Sequence, residues 1–273
     1  MVWHESDDVE QYLAAAGDLL FGEPGVHTIS LSVCENVRAR ADGTRFAWWQ
    51  EQDGPEQGTV TGCVSRTAPY PVPVGALPEH AIAPLVDLWE VTAVNAPTPL
   101  AAQVASLAAR RYGRTAVLKS AERLFRLGDL TPPTATGTSR PGTDADAELL
   151  VAWFDAFVEE AGVLPQRTRA AVADRLGYGG FVLWEDDGQV VALAGHTRMS
   201  FGGMRIGPVY TPPEHRGKGY GGAVTAAASQ QCLDAGAHEV VLFTDLTNPT
   251  SNALYPRLGY RPVMDRAVFL IPG

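Results

Sequence analysis

The sequence predicts an α/β protein built from two copies of one structural plan, and three observations support this expectation. Helical patterns and β-hairpin patterns occur in the same order in both halves of the chain. Residues 131–143 contain almost nothing that could enter a core, which indicates a linker. Residues 204–235 read as an apolar strand, a Gly-rich basic loop and an Ala-rich helix. We therefore predict a first domain over residues 1–130 and a second over 144–273.

Composition narrows the class of protein. The chain has 273 residues, of which 45% are hydrophobic and 19% charged, as in ordinary globular proteins. It lacks both an apolar run of the ~18 to 20 residues that a membrane span needs and a signal-peptide pattern at its N-terminus. We therefore expect a cytoplasmic protein without a membrane partner. The net charge of -10 argues against a nucleic-acid partner, which would require a basic surface.

The three cysteines are widely separated and show no paired spacing: Cys34, Cys63 and Cys232. This spacing predicts neither a zinc site nor a disulfide framework, so we expect buried free thiols and no metal. Nothing in the sequence indicates an oligomeric state.

The first half begins with helices and continues with a hairpin. Acidic residues followed by apolar residues at helical spacing predict a helix over 7–20, and a second is expected over about 28–40. Aromatic and β-branched runs predict a hairpin, whose turn contains Asp53, Gly54 and Pro55. Further helices are expected over 79–90 and 98–112, and strands over 115–118 and 123–127.

The second half repeats this order. A strongly amphipathic helix is predicted over 144–161 and another over 166–176, followed by a hairpin around Asp186, Asp187 and Gly188. No fixed-period repeat accompanies the match. The first half also has no Gly-rich basic loop at the corresponding place, so we expect it to have lost the phosphate site.

The Gly-rich loop has the composition of a phosphate site. Its four glycines let several backbone N–H groups face one anion at a helix N-terminus: Gly217, Gly219, Gly221 and Gly222. Arg216 and Lys218 add positive charge. Lys218 is followed by Gly219, so the mononucleotide P-loop pattern is absent.

A dinucleotide-binding loop is an alternative, because Gly217, Gly219 and Gly222 also satisfy Gly-x-Gly-x-x-Gly, and Asp245 follows about 20 residues later. Two features weigh against it. Residues 212–216 separate the strand from the first glycine, and the 28 residues after Asp245 are too few for the further β-α units of a doubly wound sheet.

A second segment changes the interpretation. Residues 216–221 fit Arg/Gln-x-x-Gly-x-Gly/Ala, and residues 248–260 read Asn-Pro-Thr-Ser-Asn-Ala-Leu-Tyr-Pro-Arg-Leu-Gly-Tyr. Together these segments resemble the GNAT superfamily of acyl-CoA-dependent N-acyltransferases over about 144–273. The whole chain resembles the tandem form of that family with a degenerate first domain. The resemblance implies two domains, each a mixed, mostly antiparallel sheet flanked by helices, and acetyl-CoA as the donor.

The resemblance also implies a role for each matching residue. The pantetheine arm would lie along the backbone of Val209, Tyr210 and Thr211. The pyrophosphate would be held by Arg216, Gly217, Lys218, Gly219, Tyr220, Gly221 and Gly222. Asn248 and Ser251 would touch the pantetheine, and Tyr255 would be the general acid.

The chemistry of attack by a neutral amine on a thioester makes separate demands on the protein. The oxyanion needs a fixed N–H donor, which a bulge at Gly207 and Pro208 would free. The leaving thiolate needs a proton, and a phenol with a pKa near ~10 stays protonated at neutral pH. Tyr255 meets this demand. Without Asn248 at its spacing, a core aromatic would be the favoured interpretation of Tyr255, and that spacing favours the acid.

The general base is less defined. Residues 204–211 contain no carboxylate where many members of the family carry a Glu. Asp245 and His196 are candidates acting through water, and Asp245 is the one we select. Both also have structural interpretations, Asp245 as the cap of the turn into Thr247 and His196 as an ordinary core or surface histidine.

The function expected from the sequence is N-acetyl transfer to the primary amine of a small molecule or peptide. One alternative is a non-enzymatic acyl-CoA-binding or sensing protein, and another is transfer to a hydroxyl. The acceptor is left open, because acceptor residues lie on variable helices and loops.

Overall fold

The computed structural model describes residues 2–39, 43–52, 58–162 and 168–273. These residues form two compact units. Unit 1 comprises Met1–Leu124, Asp245–Thr247 and Val263–Gly273, and unit 2 comprises Phe125–Thr244 and Asn248–Pro262. The predicted hairpin turn at Asp53, Gly54 and Pro55 lies outside the described residues. None of the described helices is both long enough and apolar enough to cross a membrane.

The first set of elements belongs to unit 1, except that the last three residues of its final strand belong to unit 2. In chain order these are β1 (Val2–Ser6), α1 (Val9–Gly22), α2 (Thr28–Ala39), β2 (Arg45–Gln50), β3 (Val60–Arg66), β4 (Val72–Pro73), α3 (Glu79–Leu88), β5 (Ala93–Pro97), α4 (Thr98–Tyr112) and β6 (Val117–Leu127). Strands β1, β2 and β3 form an antiparallel sheet. The carboxylate of Asp8 caps α1 by accepting from the backbone N–H groups of Glu10 and Gln11, as the acidic helix start predicts.

The second set belongs to unit 2, except that Asp245 and the part of the last strand from Val263 onwards belong to unit 1. After β7 (Thr138–Pro141) and a 3-10 turn come α5 (Ala147–Ala161), α6 (Thr168–Gly177), β8 (Phe181–Asp186), β9 (Gln189–His196), β10 (Gly203–Tyr210), α7 (Tyr220–Asp234), β11 (Glu239–Asp245), α8 (Pro249–Arg257) and β12 (Tyr260–Leu270). The strand order is β6-β11-β10-β9-β8-β7. Strands β10 and β11 run parallel, while β7 to β10 pair antiparallel in sequence. The sheet is thus mixed and mostly antiparallel, as expected.

The order of elements is the same in the two sets, which confirms the prediction of two copies of one plan. Three details differ from the sequence expectations. The proposed linker contains strand β7, because Thr138 to Pro141 pair with β8 at a sheet edge, where Pro is tolerated. The two strands expected over 115–127 are one strand, β6. Residues 263–273 belong to unit 1, because β12 pairs there with β5 and buries Ala267 and Ile271.

Two apolar clusters cover the faces of the unit 2 sheet. One lies beneath α5 and α6, and its buried members include Leu150, Phe154, Phe181, Leu193 and Tyr210. The other lies beneath α7, and its buried members include Phe125, Val224, Tyr255, Leu258 and Tyr260. Tyr255 is therefore part of the core packing around α7.

A buried basic pair lies inside unit 1. His27 is 4% exposed, and Gly75 packs so closely against it that an added Cβ would lie 2.1 Å from Nδ1. Arg266 is 2% exposed and donates to the carbonyl oxygens of Val74 and Asn95 at 3.0 and 2.9 Å. Burial, with a smaller contribution from Arg266, lowers the pKa of His27 to about 4. The imidazole is therefore neutral at pH 7.

The burial of this neutral imidazole predicts that the free energy of unfolding falls at acidic pH. An unfolded histidine has a pKa near ~6.5, so below that pH the unfolded chain takes up a proton that the folded chain refuses. The contribution of His27 to the free energy of unfolding is present above pH 6.5 and falls by about 2 kcal/mol between pH 7 and pH 5. Urea unfolding of wild type and His27→Gln at both pH values measures it. Between pH 7 and pH 5, the free energy of unfolding of His27→Gln should fall by about 2 kcal/mol less than that of wild type.

The matched control is His238→Gln, which replaces an exposed ring. It should leave the wild-type difference between pH 7 and pH 5 unchanged. A His27→Gln variant with the same pH dependence as wild type would show that His27 does not cause the acid sensitivity.

Candidate active site

In unit 2, the pairing between strands β10 and β11 ends part of the way along β10. Their parallel pairing extends from Gly203 opposite Glu239 to Ile206 opposite Leu242. On the other side, the register between β10 and β9 shifts between Ile206 and Val209. Gly207 lies at this shift with a φ of +152°, a conformation that favours glycine. The predicted bulge is therefore confirmed, and residues 207–210 lie outside the β10–β11 ladder.

The loop after β10 leads into helix α7, whose first backbone N–H groups are not capped by a side chain. Gly217 and Gly219 have φ values of +80° and +87°, which other residues rarely adopt. Gly219 is the N-cap of α7, and no side chain bonds to the first N–H groups of that helix. A Cβ on Gly222 would lie 3.1 Å from Leu254 Cδ1, so the helix start packs closely against α8 and a larger residue there would require Leu254 to shift. These N–H groups have the arrangement that binds anions at helix N-termini.

The two basic residues of the loop have different surroundings. Arg216 donates from Nε to the Thr211 carbonyl oxygen at 2.8 Å and from Nη2 to Glu160 Oε2 at 2.6 Å. Its guanidinium therefore ties the end of β10 to α5. Lys218 is exposed, with its ammonium 6.0 Å from the centre of the Tyr220 ring. Lys218 is thus the more available of the two cations.

A hydrogen-bonded cluster that the sequence did not reveal anchors the helix start. The Tyr220 ring is buried and its hydroxyl donates to Asp186, which also accepts from Thr136 Oγ1 at 2.9 Å. The Trp184 indole donates to the Thr136 carbonyl at 2.8 Å. Tyr220 therefore contributes its backbone, rather than its ring, to the loop. Its sequence position gave no sign of this, because Asp186 reads as a turn residue and Thr136 as part of a linker.

Part of the proposed linker lies against the loop. A Cβ on Gly219 would lie 3.9 Å from both Ala135 Cβ and the Thr134 carbonyl oxygen. Pro133 approaches Gly222 in the same way, at 3.4 Å. Residues 133–136 therefore form one wall of the loop.

Tyr255 lies on α8 with its ring in the core. It is 7% exposed, and its ring centre lies 6.1 Å from that of Phe125 and 5.9 Å from that of Tyr260. Burial raises the pKa of its phenol to about 12, partly opposed by a hydrogen bond with the Ser251 side chain. The phenol is therefore fully protonated at neutral pH. Asn248 caps the same helix, its Oδ1 accepting from the Ser251 N–H at 3.1 Å.

Asp245 closes a turn. Its Oδ1 accepts from the backbone N–H of Thr247 at 2.6 Å and from the Thr247 hydroxyl at 2.7 Å. These bonds are those of an Asx turn, which stabilises the chain reversal after β11.

His196 ends β9 opposite Ile206 and is 4% exposed. Its Nδ1 lies 3.0 Å from the Thr197 carbonyl oxygen, which can only accept, so Nδ1 carries the proton. Nε2 is then an unprotonated acceptor, and it is buried without a hydrogen-bond partner. Burial lowers the pKa of this imidazole, so it is neutral at pH 7.

The structure shows no metal-binding cluster in the part of the chain that it describes, since no three His, Cys, Asp or Glu side chains converge there. The three cysteines are buried and free. Burial raises the pKa of Cys34, Cys63 and Cys232.

Comparison with known proteins gives results that agree with one another. Residues 147–260 match the model of the acetyltransferase (GNAT) family. A mycothiol acetyltransferase of Arthrobacter sp. (strain FB24) is 35% identical over 133 residues, which are 44% of this chain and 40% of that protein. The chain thus spans less than half the length of this relative.

Two solved structures share the fold over nearly the whole chain. An acetyltransferase from the GNAT family of Colwellia psychrerythraea covers 100% of both chains with a TM-score of 0.64 and 10% identity. A tandem GNAT protein from the clavulanic acid biosynthesis pathway covers 98% of this chain and 97% of its own, with a TM-score of 0.57 and 16% identity. Residues 147–260 are therefore similar to the acetyltransferase (GNAT) family, and the fold of the whole chain is shared with solved GNAT structures that include a tandem form.

Proposed function

We propose that this protein transfers an acetyl group from acetyl-CoA to a primary amine, and that residues 144–273 carry the reaction. The observation that carries the proposal is the separation of β10 from β11, followed directly by the uncapped, Gly-rich start of α7. An extended, anionic donor fits this combination. The separated strand offers free backbone groups, and the helix start offers N–H groups and a positive dipole end.

The donor is proposed to bind in two parts. The backbone of Val209, Tyr210 and Thr211 would pair with the amides of the pantetheine arm. The N–H groups from Gly217 to Gly222 would hold the diphosphate, with Lys218 facing it as counter-charge. Arg216 would act by fixing the end of β10 to Glu160, and Asn248 and Ser251 would shape the start of α8.

In the reaction the amine nitrogen attacks the acetyl carbon, a C–N bond forms and the C–S bond breaks. The carbonyl oxygen becomes an oxyanion, for which the bulge at Gly207 frees a backbone donor. The proton for the leaving thiolate would come from Tyr255, whose raised pKa keeps it protonated. The amine must also lose a proton, and the lone pair on His196 Nε2 and the carboxylate of Asp245 are the proposed candidates.

Asp245→Asn decides between these candidates. Asparagine keeps the side-chain oxygen that accepts from Thr247 but removes the negative charge. Because Asp245 is engaged in its turn, we expect kcat to stay within about threefold of wild type, whereas loss of a general base costs roughly 100-fold or more. Steady-state turnover at saturating acetyl-CoA measures it. A fall of the larger size would establish Asp245 as the base, and His196→Gln gives the complementary comparison.

Unit 1 is proposed to be a structural copy. At the place of α7, helix α3 starts after Pro78 without a basic Gly-rich loop and carries Glu79 in its first turn, which would repel a diphosphate. The pairing of β4 with β5 ends at Pro73 and Asn95. There the guanidinium of Arg266 donates to the carbonyl oxygen of Asn95, so this carbonyl is not available to a donor molecule. One donor molecule per chain is therefore expected.

Thiol release tests the proposal. Acetyl-CoA is incubated with the protein and a panel of small amines, amino acids, amino sugars and short peptides, and free coenzyme A is measured. The mycothiol acetyltransferase name of a relative makes thiol-containing amines a reasonable part of the panel. Amine-dependent release supports acetyl transfer. Calorimetric binding of acetyl-CoA without release across the panel would instead indicate a sensing protein, and release dependent on a hydroxyl acceptor would indicate O-acetylation.

A further inference from the structure

In each unit, a carboxylate at the end of the second strand is bonded to the helix that follows the fourth strand. In unit 2, Asp186 is the last residue of β8, and it accepts from the hydroxyl of Tyr220, the first residue of α7. In unit 1, Glu51 directly follows β2, and its Oε1 lies 3.0 Å from Nε2 of His80, the second residue of α3. The same anchor therefore occurs in both copies of the plan.

The segment that the anchor holds differs between the two units. In unit 1 it is an ordinary helix start with Glu79 in its first turn. In unit 2 it is the stretch 217–222, four residues of which are glycines. Backbone rich in glycine has little conformational preference of its own, so its geometry depends on what fixes it. Within this stretch the Tyr220 ring is buried and Lys218 is exposed, so Tyr220 is the side chain that attaches the loop to the sheet.

One oxygen of Asp186 makes two attachments. Its Oδ2 accepts from the Tyr220 hydroxyl and, at 2.9 Å, from Thr136 Oγ1. Thr136 belongs to residues 133–136, which form the wall of the loop. The bonds from Tyr220 and Thr136, and to a smaller extent the charge of Lys218, lower the pKa of Asp186, so it is ionised at neutral pH. A single carboxylate oxygen therefore fixes the start of α7 and the wall beside it.

The charge of Asp186 and its hydrogen bonds have opposite effects on an anion at the loop. Asp186 lies close enough to Lys218 for their charges to interact, and Lys218 is the proposed counter-charge of the diphosphate. A negative charge near an anion site weakens anion binding. Removal of the charge alone would therefore strengthen donor binding, whereas removal of the two hydrogen bonds would loosen the loop and weaken it.

We propose that Asp186 is a positioning residue for the donor, which acts through Tyr220 and Thr136 to hold the backbone N–H groups of residues 217–222 in the arrangement that receives the diphosphate. This inference rests on the proposed use of acetyl-CoA. Donors that are fixed on folding bind an anion more tightly, because the loop does not have to be ordered when the ligand binds.

Two substitutions of Asp186 separate the hydrogen bonds from the charge. Asp186→Ala removes both, and calorimetry should show acetyl-CoA binding about 10-fold weaker than in wild type. Asp186→Asn keeps one oxygen, which suffices because both bonds are made to Oδ2, and removes the charge. Its affinity for acetyl-CoA should equal or exceed that of wild type. Tyr220→Phe keeps the ring, removes the hydroxyl and should weaken binding, and the double variant with Asp186→Ala should bind no more weakly than Asp186→Ala alone.

Glu51→Ala is the matched control, because it removes the equivalent anchor in unit 1. It should lower the free energy of unfolding in urea but leave the affinity for acetyl-CoA unchanged. Wild-type affinity in Asp186→Ala, an equal fall in Asp186→Asn and Asp186→Ala, or an equal fall in Glu51→Ala would each overturn the inference. If Asp186→Ala does not fold, Tyr220→Phe decides, since wild-type affinity in that variant overturns it.

Failure of the proposed function would give a different result. If wild type does not bind acetyl-CoA, the proposed donor is wrong. Hydrogen–deuterium exchange of the amides of residues 217–222, which needs no ligand, then decides whether Asp186 positions the loop. Asp186→Ala should speed exchange there by about fivefold or more and leave α5 unchanged. Equal exchange of residues 217–222 in Asp186→Ala and wild type would overturn the inference.

Discussion

Replacing Tyr255 with Phe is expected to lower kcat about 100-fold while the KM for acetyl-CoA changes by less than about threefold, which is the pattern of a lost general acid. The phenol is buried, and its pKa of about 12 means that the hydroxyl carries its proton across the working pH range. Phenylalanine keeps the contacts with Phe125 and Tyr260 and removes only the hydroxyl. Donor binding should therefore survive while proton delivery does not.

The raised pKa also gives a pH signature. The acid must be protonated, so activity that depends on Tyr255 is lost only as the pH rises through the pKa of the folded protein. The kcat of wild type should therefore show no alkaline decline from this residue up to about pH 10. A profile of kcat against pH at saturating substrates measures it. A decline near pH 8 would point to another acid.

Tyr260→Phe is the matched control for the loss of a buried tyrosine hydroxyl. Tyr260 is 1% exposed, and its hydroxyl lies 2.7 Å from Ser229 Oγ. The variant should lose about 1 kcal/mol of stability through that hydrogen bond but keep wild-type kcat. Equal turnover by Tyr255→Phe and wild type would remove Tyr255 from the mechanism.

Replacing Gly219 with Val is expected to raise the KM for acetyl-CoA about 10- to 100-fold, as for loss of charge-assisted hydrogen bonds. Gly219 is the N-cap of α7, with a φ of +87° that a β-branched residue rarely adopts. The atoms nearest to an added Cβ would lie 3.9 Å away, which is ordinary van der Waals contact for that atom. The new side chain instead alters the backbone that is proposed to hold the diphosphate. Calorimetry with acetyl-CoA measures the affinity directly.

Gly236→Val separates backbone strain from loss of the phosphate site. Gly236 follows the other end of α7, has a φ of +93°, and has nothing within 4 Å of an added Cβ. Both variants should lose about 1 to 2 kcal/mol of stability through left-handed strain. Only Gly219→Val should lose donor affinity. Similar affinities in the two variants would count against the loop as the diphosphate site.

The features that the sequence predicted correctly are those set by local preferences. Positive φ values at Gly217 and Gly219 and the start of α7 follow from residue type and spacing, and the bulge follows from Gly207 within a strand. The repeated order of elements follows from hydrophobic periodicity. The roles assigned to Asn248, Ser251 and Tyr255 come from spacing alone and stay predictions for kinetics.

Contacts between distant residues were beyond the reach of the sequence. The sequence does not show that the guanidinium of Arg216 bonds to Glu160. The polar stretch 131–143 reads as a linker, yet Thr136 bonds to Asp186 and residues 138–141 pair as a strand. Each outcome depends on a partner far away in sequence that satisfies a charge or a backbone group, and composition does not identify that partner.

The sequence by itself determined the α/β plan, its duplication and the Gly-rich start of α7, because glycine content, periodicity and capping act within a few residues. Only the tertiary structure decided that residues 263–273 pack into unit 1 and that Tyr255 is buried enough to keep its proton. These properties arise from burial and from pairing across the sheet, which are fixed by long-range contacts.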